Sequence, residues 1–147
     1  MNRPGARPAI SCYIRRGFKM HFNKVRGIRG AVDVSANTAP EILAATKKLL
    51  QAMRQKNSLE KESMAAVIFS MTKDLNAVFP AQAARELGWG AVPLFCTVEI
   101  DVPGALPRCI RVLMLVNTEK EPGEINHVYL GGTVALRKDL AGEGTDA

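Results

Sequence analysis

Apolar positions recur along this chain with two different periods, and the switch between them marks out the elements. "FNKVRGIRGAVDV" (22–34) alternates imperfectly around Gly27 and Gly30 and reads as a first strand with a close backbone approach or a bulge. In "SANTAPEILAATKKLLQAMRQKN" (35–57), Ile42, Leu49 and Met53, with Leu43 and Leu50 beside them, recur at helical spacing. Thr38 and Glu41 form a capping-box pattern with Pro40 in the first turn, which sets the start of this helix. Lys47, Lys48 and Arg54 fall on its solvated side. "MAAVIFSMT" (64–72) is an apolar run of strand length. "DLNAVFPAQAARELGWG" (74–90) reads as a loop and a short helix, opened by Pro80 and stopped by Gly88. "AVPLFCTVEIDV" (91–102) and "RCIRVLMLVNT" (108–118) read as two strands joined by the turn "PGALP" (103–107). "EKEPGEIN" (119–126) is a loop or one helical turn, and "HVYLGGTVALR" (127–137) supplies one or two short extended pieces.

The order is therefore β-α-β-α-β-β with a last strand near the end. It predicts an α/β or α+β domain: a mixed sheet with helices largely on one face. A sheet face left without helices calls for a partner, so an oligomer is expected. The chain has 147 residues, enough for one domain with a real core. The expected division is a basic extension over 1–21, a folded domain over 22–140 and a small-residue tail over 141–147.

Composition narrows the function classes. Apolar residues make up 47% and charged residues 23%, as in an ordinary globular protein. No apolar run approaches the ~20 residues of a membrane span. The net charge of +6 points to nucleic acid until it is located. Arg3, Arg7, Arg15, Arg16 and Lys19 lie in the first 21 residues without an acid; taking those five from 20 Lys and Arg leaves 15 against 14 acidic residues. The body is near neutrality, whereas a nucleic-acid binder wants a basic patch on the domain. The early segment has no signal-peptide core, and it reads as an extension or as sequence upstream of a start at Met20. Cys12, Cys96 and Cys109 make no CxxC, and His21 and His127 lie far apart, so neither zinc nor a disulfide framework is expected. A reducing cytoplasm is the default location.

Glu99 and Arg111 are the anomaly, because each is a charge inside an apolar run bound for a sheet. In "CTVEIDV" a regular strand sends Cys96, Val98 and Ile100 one way and Thr97, Glu99 and Asp101 the other. If a hairpin pairs this strand with "CIRVLML", Glu99 and Arg111 can face one cavity. They then form either an ion pair that fixes register or part of a site. Arg26 and Arg29 sit three apart and point to opposite faces of the first strand, so one of them can join Arg111. Arg85 sits beyond Phe79 and Pro80 on a helix start that favours anions. Several arginines around few acids suit a small polyanion, since Arg grips carboxylates through a planar fork. No Ser-His-Asp set, phosphate loop or convincing Cys nucleophile is legible. Electrostatic catalysis on a dianion fits such a site better than covalent catalysis.

"VRGIRGA", "TKDLNAVFPAQAARELGW", "CTVEIDVPGALPRCIRVLML" and "HVYLGGTVALR", taken in order from about Val25 to Leu140, resemble the trimeric chorismate mutases of the Bacillus type. The resemblance implies conversion of chorismate to prephenate without a cofactor or metal. It also implies a homotrimer with a pseudo-α/β-barrel and interface sites; from the near-neutral body and the lack of a membrane-length apolar run, no nucleic-acid or membrane partner is expected. Carried over by motif, Arg29 would meet a substrate carboxylate, Glu99 the ring hydroxyl, Arg111 the ether oxygen and Tyr129 the side-chain carboxylate. Phe79, Ala81 and Arg85 would come from the neighbouring subunit. Phe95, Cys96, Thr97 and Val98 would form the wall, and Leu136 and Arg137 would approach the mouth. Gln82 stands where the family motif has Lys, Phe95 replaces a small polar residue, and "GGT" is looser than the usual stretch. Two rival classes remain at this point: a trimeric enamine/imine deaminase, in which Glu99 would orient water, and a non-enzymatic binding module using the basic N-terminus.

Overall fold

A computed structural model describes residues 24–137. The expected basic extension and the expected tail lie outside the described residues. Five strands form one sheet: β1 (Lys24–Asp33), β2 (Met64–Met71), β3 (Leu94–Val98), β4 (Cys109–Thr118) and β5 (Val128–Leu130). Their spatial order is β3-β2-β4-β1-β5. β4 runs antiparallel to both β1 and β2, while β3 is parallel to β2 and β5 parallel to β1. The sheet is mixed, as the order of elements predicts.

Helix α1 (Ala39–Asn57) starts where Thr38 predicts: its hydroxyl accepts from the Glu41 N–H at 3.4 Å. The reciprocal half of the capping box does not form. The Thr38 N–H goes to the Ala36 carbonyl, and the Glu41 carboxylate accepts from the Ser35 hydroxyl at 2.8 Å. Ile42, Leu49, Leu50 and Met53 of α1 are fully buried against the sheet. On β4 the core positions are Ile110, Val112, Met114 and Val116; on β1 they are Ile28 and Val32, with Gly30 between them. Gly30 is required by packing, because a Cβ there would run into Met53 and Leu49 of α1.

The short helix α2 (Ala81–Glu86) packs on α1 and on β3. It is the crossover that makes β3 parallel to β2. Gly88, at φ +84°, ends it. Two expectations change here. The strand expected over 91–102 is only five residues long, and 99–108 is a loop. It forms no hairpin with β4, because β2 lies between them. "GGTVALR" is not extended; Gly131–Arg137 is a 3-10 segment that packs back on β1.

Candidate active site

α1 covers one face of the sheet, and the other face carries the anomalous charges. Successive residues of a strand point to opposite faces. Since Gly30 faces α1, Arg29 and Ala31 face away from it. A Cβ on Gly27 would touch Leu113 and Leu115, which places odd-numbered positions of β1 and β4 on this same face. The register then aligns one row across all five strands: Thr97, Ser70, Arg111, Ala31 and Tyr129. A second row holds Phe95, Ile68, Leu113 and Arg29. Of the two arginines in "VRGIRGA", Arg29 thus shares a face with Arg111. Arg26 is engaged elsewhere, with the Lys120 carbonyl at 3.0 Å and the Glu121 carboxylate at 3.4 Å.

Glu99 and Arg111 do meet, although not by the hairpin route. The Glu99 N–H donates to the Met71 carbonyl at 2.8 Å, which extends the edge of β3 by one residue. The Glu99 carboxylate then leans over β2. It accepts from the Ser70 hydroxyl at 2.8 Å and stands 3.6 Å from Arg111 Nε. That separation is long for a hydrogen bond, and the Arg111 side chain is 46% exposed. A half-exposed pair of this kind contributes at most ~1 kcal/mol. Fixing register is therefore a weak account of two charges on this face.

The end of the loop carrying Glu99 is tied to the segment after β2 by Asp74. Its carboxylate accepts from the Thr72 hydroxyl and from the Arg108 N–H at 2.9 Å. These bonds, the Thr72 hydroxyl first, lower the Asp74 pKa. They also hold Arg108 at φ +47°, in the left-handed region that a non-glycine residue rarely occupies. The Arg108 guanidinium reaches back to the Val34 carbonyl at 2.9 Å.

β5 is an edge strand of three residues, and side chains hold both its ends. At its entry His127 Nδ1 accepts from the Arg29 N–H at 3.0 Å. Burial, then the nearby Arg29 and Arg137, lowers the His127 pKa. Asn57, buried at the end of α1, exchanges two hydrogen bonds of 2.8 Å with the Asn126 backbone. Tyr129 and Leu130 are half-buried on β5, and Leu136 and Arg137 are half-buried at the end of the 3-10 segment.

The remaining candidates lie elsewhere. Phe79, 71% exposed, and Cys96, Thr97 and Val98 line an open groove of about 580 Å³ at the β3 edge. Ala81 is only 5% exposed and belongs to the core, so its side chain is not offered to a ligand. Arg85 is exposed in the last turn of a six-residue helix, so the expected anion-favouring helix start does not bear on it. Gln82 donates to Glu86 at 2.9 Å, and Glu86 also pairs with Lys47. α2 packs on the α1 side of the sheet, and Arg29, Arg111 and Tyr129 are on the other. Within one chain the sheet separates α2, with Arg85, from Arg29, Arg111 and Tyr129, while Phe95 and Thr97 share the arginine face.

Sequence reasoning missed Ser70 and His127. Ser70 had a signal, since it is the lone hydroxyl in "MAAVIFSM", the same kind of anomaly that singles out Glu99. His127 had none, because its role depends on β5 lying beside β1. Among the described residues no cluster of three or more His, Cys, Asp or Glu is placed to hold a metal ion.

Residues 25–140 match the family described as chorismate mutase type I. The chain belongs to that family. It is 48% identical over 118 residues to the chorismate mutase AroH of Bacillus subtilis, covering 80% of this chain and 93% of that protein. It is 50% identical over 117 residues to the AroH of Thermus thermophilus, covering 79% of this chain and 96% of that protein. The structure of a chorismate mutase from Clostridium thermocellum superposes with a TM-score of 0.74 at 55% identity, covering 75% of this chain and 98% of the other. Arg29, Glu99, Arg111 and Tyr129 all lie within the matched span of this type I chorismate mutase sequence.

Proposed function

We propose that this chain isomerises chorismate to prephenate, on the route to phenylalanine and tyrosine, in a homotrimer whose three sites lie between subunits. The observation that carries the reading is the gathering of Arg29, Arg111, Glu99 and Tyr129 on the sheet face opposite α1. Chorismate is a dianion that rearranges in one unimolecular step, with no nucleophile, redox change or proton transfer. A protein can assist in two ways. It can hold the chair-like conformer, removing an entropic cost. It can also stabilise the charge that grows on the ether oxygen as the C–O bond breaks. In this reading Arg111 is the cation at the ether oxygen and Glu99, steadied by Ser70, takes the ring hydroxyl. Arg29 and Tyr129 hold carboxylates.

The second subunit supplies Phe79, Arg85 and the backbone at Ala81, with Phe95, Cys96, Thr97 and Val98 in the wall and Leu136 and Arg137 at the mouth. Its arrival also covers the exposed apolar residues Phe95, Val98, Ile100 and Val102 along the β3 edge, a patch of the kind that marks interfaces. Three such contacts close a pseudo-α/β-barrel. Cys96 and Cys109 are free thiols, in keeping with a cytoplasmic enzyme.

The test is loss of chorismate absorbance in buffer with chelator and no added cofactor. Wild type should show saturable turnover. Arg111→Ala should lower kcat by at least about 10³-fold while remaining folded, the scale of losing one oxyanion donor or more. Turnover that survives the substitution would contradict the assignment of Arg111.

A further inference from the structure

The "GGT" stretch is the one motif that the site has not absorbed. Gly131 opens the 3-10 segment at φ +59°, a conformation that suits glycine. Its absent side chain also makes room for a neighbour: a Cβ on Gly131 would overlap Asp33 Oδ1, and a Cβ on Gly132 would lie 3.0 Å from Asp33 Oδ2. In that space the Asp33 carboxylate accepts from the Gly132 N–H at 3.0 Å. One residue on, the buried Thr133 hydroxyl lies 3.0 Å from the Ala31 carbonyl and 2.6 Å from the Leu130 carbonyl. Asp33 is the last residue of β1, on the same face as Arg29 and Ala31. The chain it holds begins directly after β5, which pairs with β1 through only three residues.

We propose that Asp33 is a positioning residue. Through the Gly131–Gly132 turn built around its carboxylate, it sets Tyr129 and the 133–137 segment over the arginine face. β5 is too short to fix itself, so its place is set at its ends: His127 and Asn57 at the entry, Asp33 and Thr133 at the exit. Losing the exit clamp lets Tyr129 shift relative to Arg29 without disturbing Arg111. The substrate grip should weaken while the barrier at the ether oxygen stays. The inference rests on the functional reading above.

The test measures chorismate KM and kcat together with amide exchange at Gly132 and at 128–130. Asp33→Ala should raise KM about tenfold with kcat within about threefold, the pattern of lost uniform binding. The Gly132 amide should lose protection. Asp33→Asn keeps an acceptor oxygen and should restore both readouts. Gly132→Ala should displace the carboxylate and raise KM alike, and adding Asp33→Ala to it should cost nothing further, since both changes break one contact. An unchanged KM in folded Asp33→Ala, an Asn variant as poor as Ala, or strictly additive effects would overturn the proposal. If Asp33→Ala does not fold, Asp33→Asn and Gly132→Ala carry the test. If wild type lacks chorismate turnover, the functional reading fails and the exchange arm still decides. Protection lost at Gly132 and 128–130 in Asp33→Ala supports the positioning, and protection unchanged overturns it.

Discussion

Ser70, Glu99 and Arg111 show how residues that no local motif connects come together in one cluster. Glu99 and Arg111 were legible as anomalies because a charge in an apolar strand needs a reason. Their meeting was expected from a hairpin that does not exist. They meet because Ser70 lies between Thr97 and Arg111 in register and gives the Glu99 carboxylate a donor. Removing that donor by Ser70→Ala should lower kcat/KM by about 10- to 150-fold, the scale of a hydrogen bond to a charged group. Steady-state kinetics checks it, and Ser70→Thr should recover much of the loss. His127 gives a pH prediction with a definite sign. Its folded pKa lies below the ordinary value of 6.5. The unfolded chain therefore takes up a proton before the folded one does. Stability is full above about pH 6.5 and falls as pH drops below it, until the folded imidazole also protonates. Protonation would also remove the Nδ1 acceptor from the Arg29 N–H. Denaturation midpoints from pH 7.5 to 5 should fall for wild type and fall less for His127→Gln.

At the scale of elements, period and capping chemistry were enough where contacts are local. α1 begins at Thr38, α2 follows Pro80, and β1, β2 and β4 lie where their apolar runs place them. What could not be read was pairing. A turn of Pro and Gly between two apolar runs signals a hairpin, yet the 99–108 segment is a crossing loop. Its geometry rests on Asp74 and on the left-handed Arg108, both set by contacts distant in sequence. The end of "HVYLGGTVALR" was misread for the same reason: its turn is shaped by Asp33, 99 residues away from Gly132. Gly30 carries the prediction at this scale. The first strand was expected to use a glycine for close approach, and α1 lies against it there. Gly30→Ala should destabilise the fold by about 1–3 kcal/mol, since Met53 and Leu49 would have to leave their positions in a packed core. Chemical denaturation should show a lower midpoint with an unchanged m-value. Gly123, where a Cβ would meet nothing within 4 Å, is the control, and Gly123→Ala should change little.

For the whole molecule the decisive feature is that α2, with Arg85, and the group of Arg29, Arg111 and Tyr129 lie on opposite sides of one sheet. Arg29, Arg111 and Tyr129 occupy the face opposite α1, while Arg85 rides on α2, which packs on α1. Within one chain the sheet stands between them, so a site using both draws on two copies. This gives a test that no single-chain enzyme can pass. Arg111→Ala and Arg85→Ala, each purified, should each be severely impaired. Mixed subunits from co-expression or joint refolding should regain activity, because some interfaces then pair an intact Arg111 with an intact Arg85. In randomly mixed rings at equal proportions, about one interface in four is intact at both positions, so about a quarter of wild-type turnover should return. The same mixing of Arg111→Ala with Arg29→Ala should restore little beyond the subunits' own residual rates, since both residues belong to the same face. At any one interface they come from one chain, and every chain lacks one of them. Recovery in the first mixture and none in the second would place Arg85 across the interface from Arg111. Equal outcomes in both would mean that the two groups do not share a site.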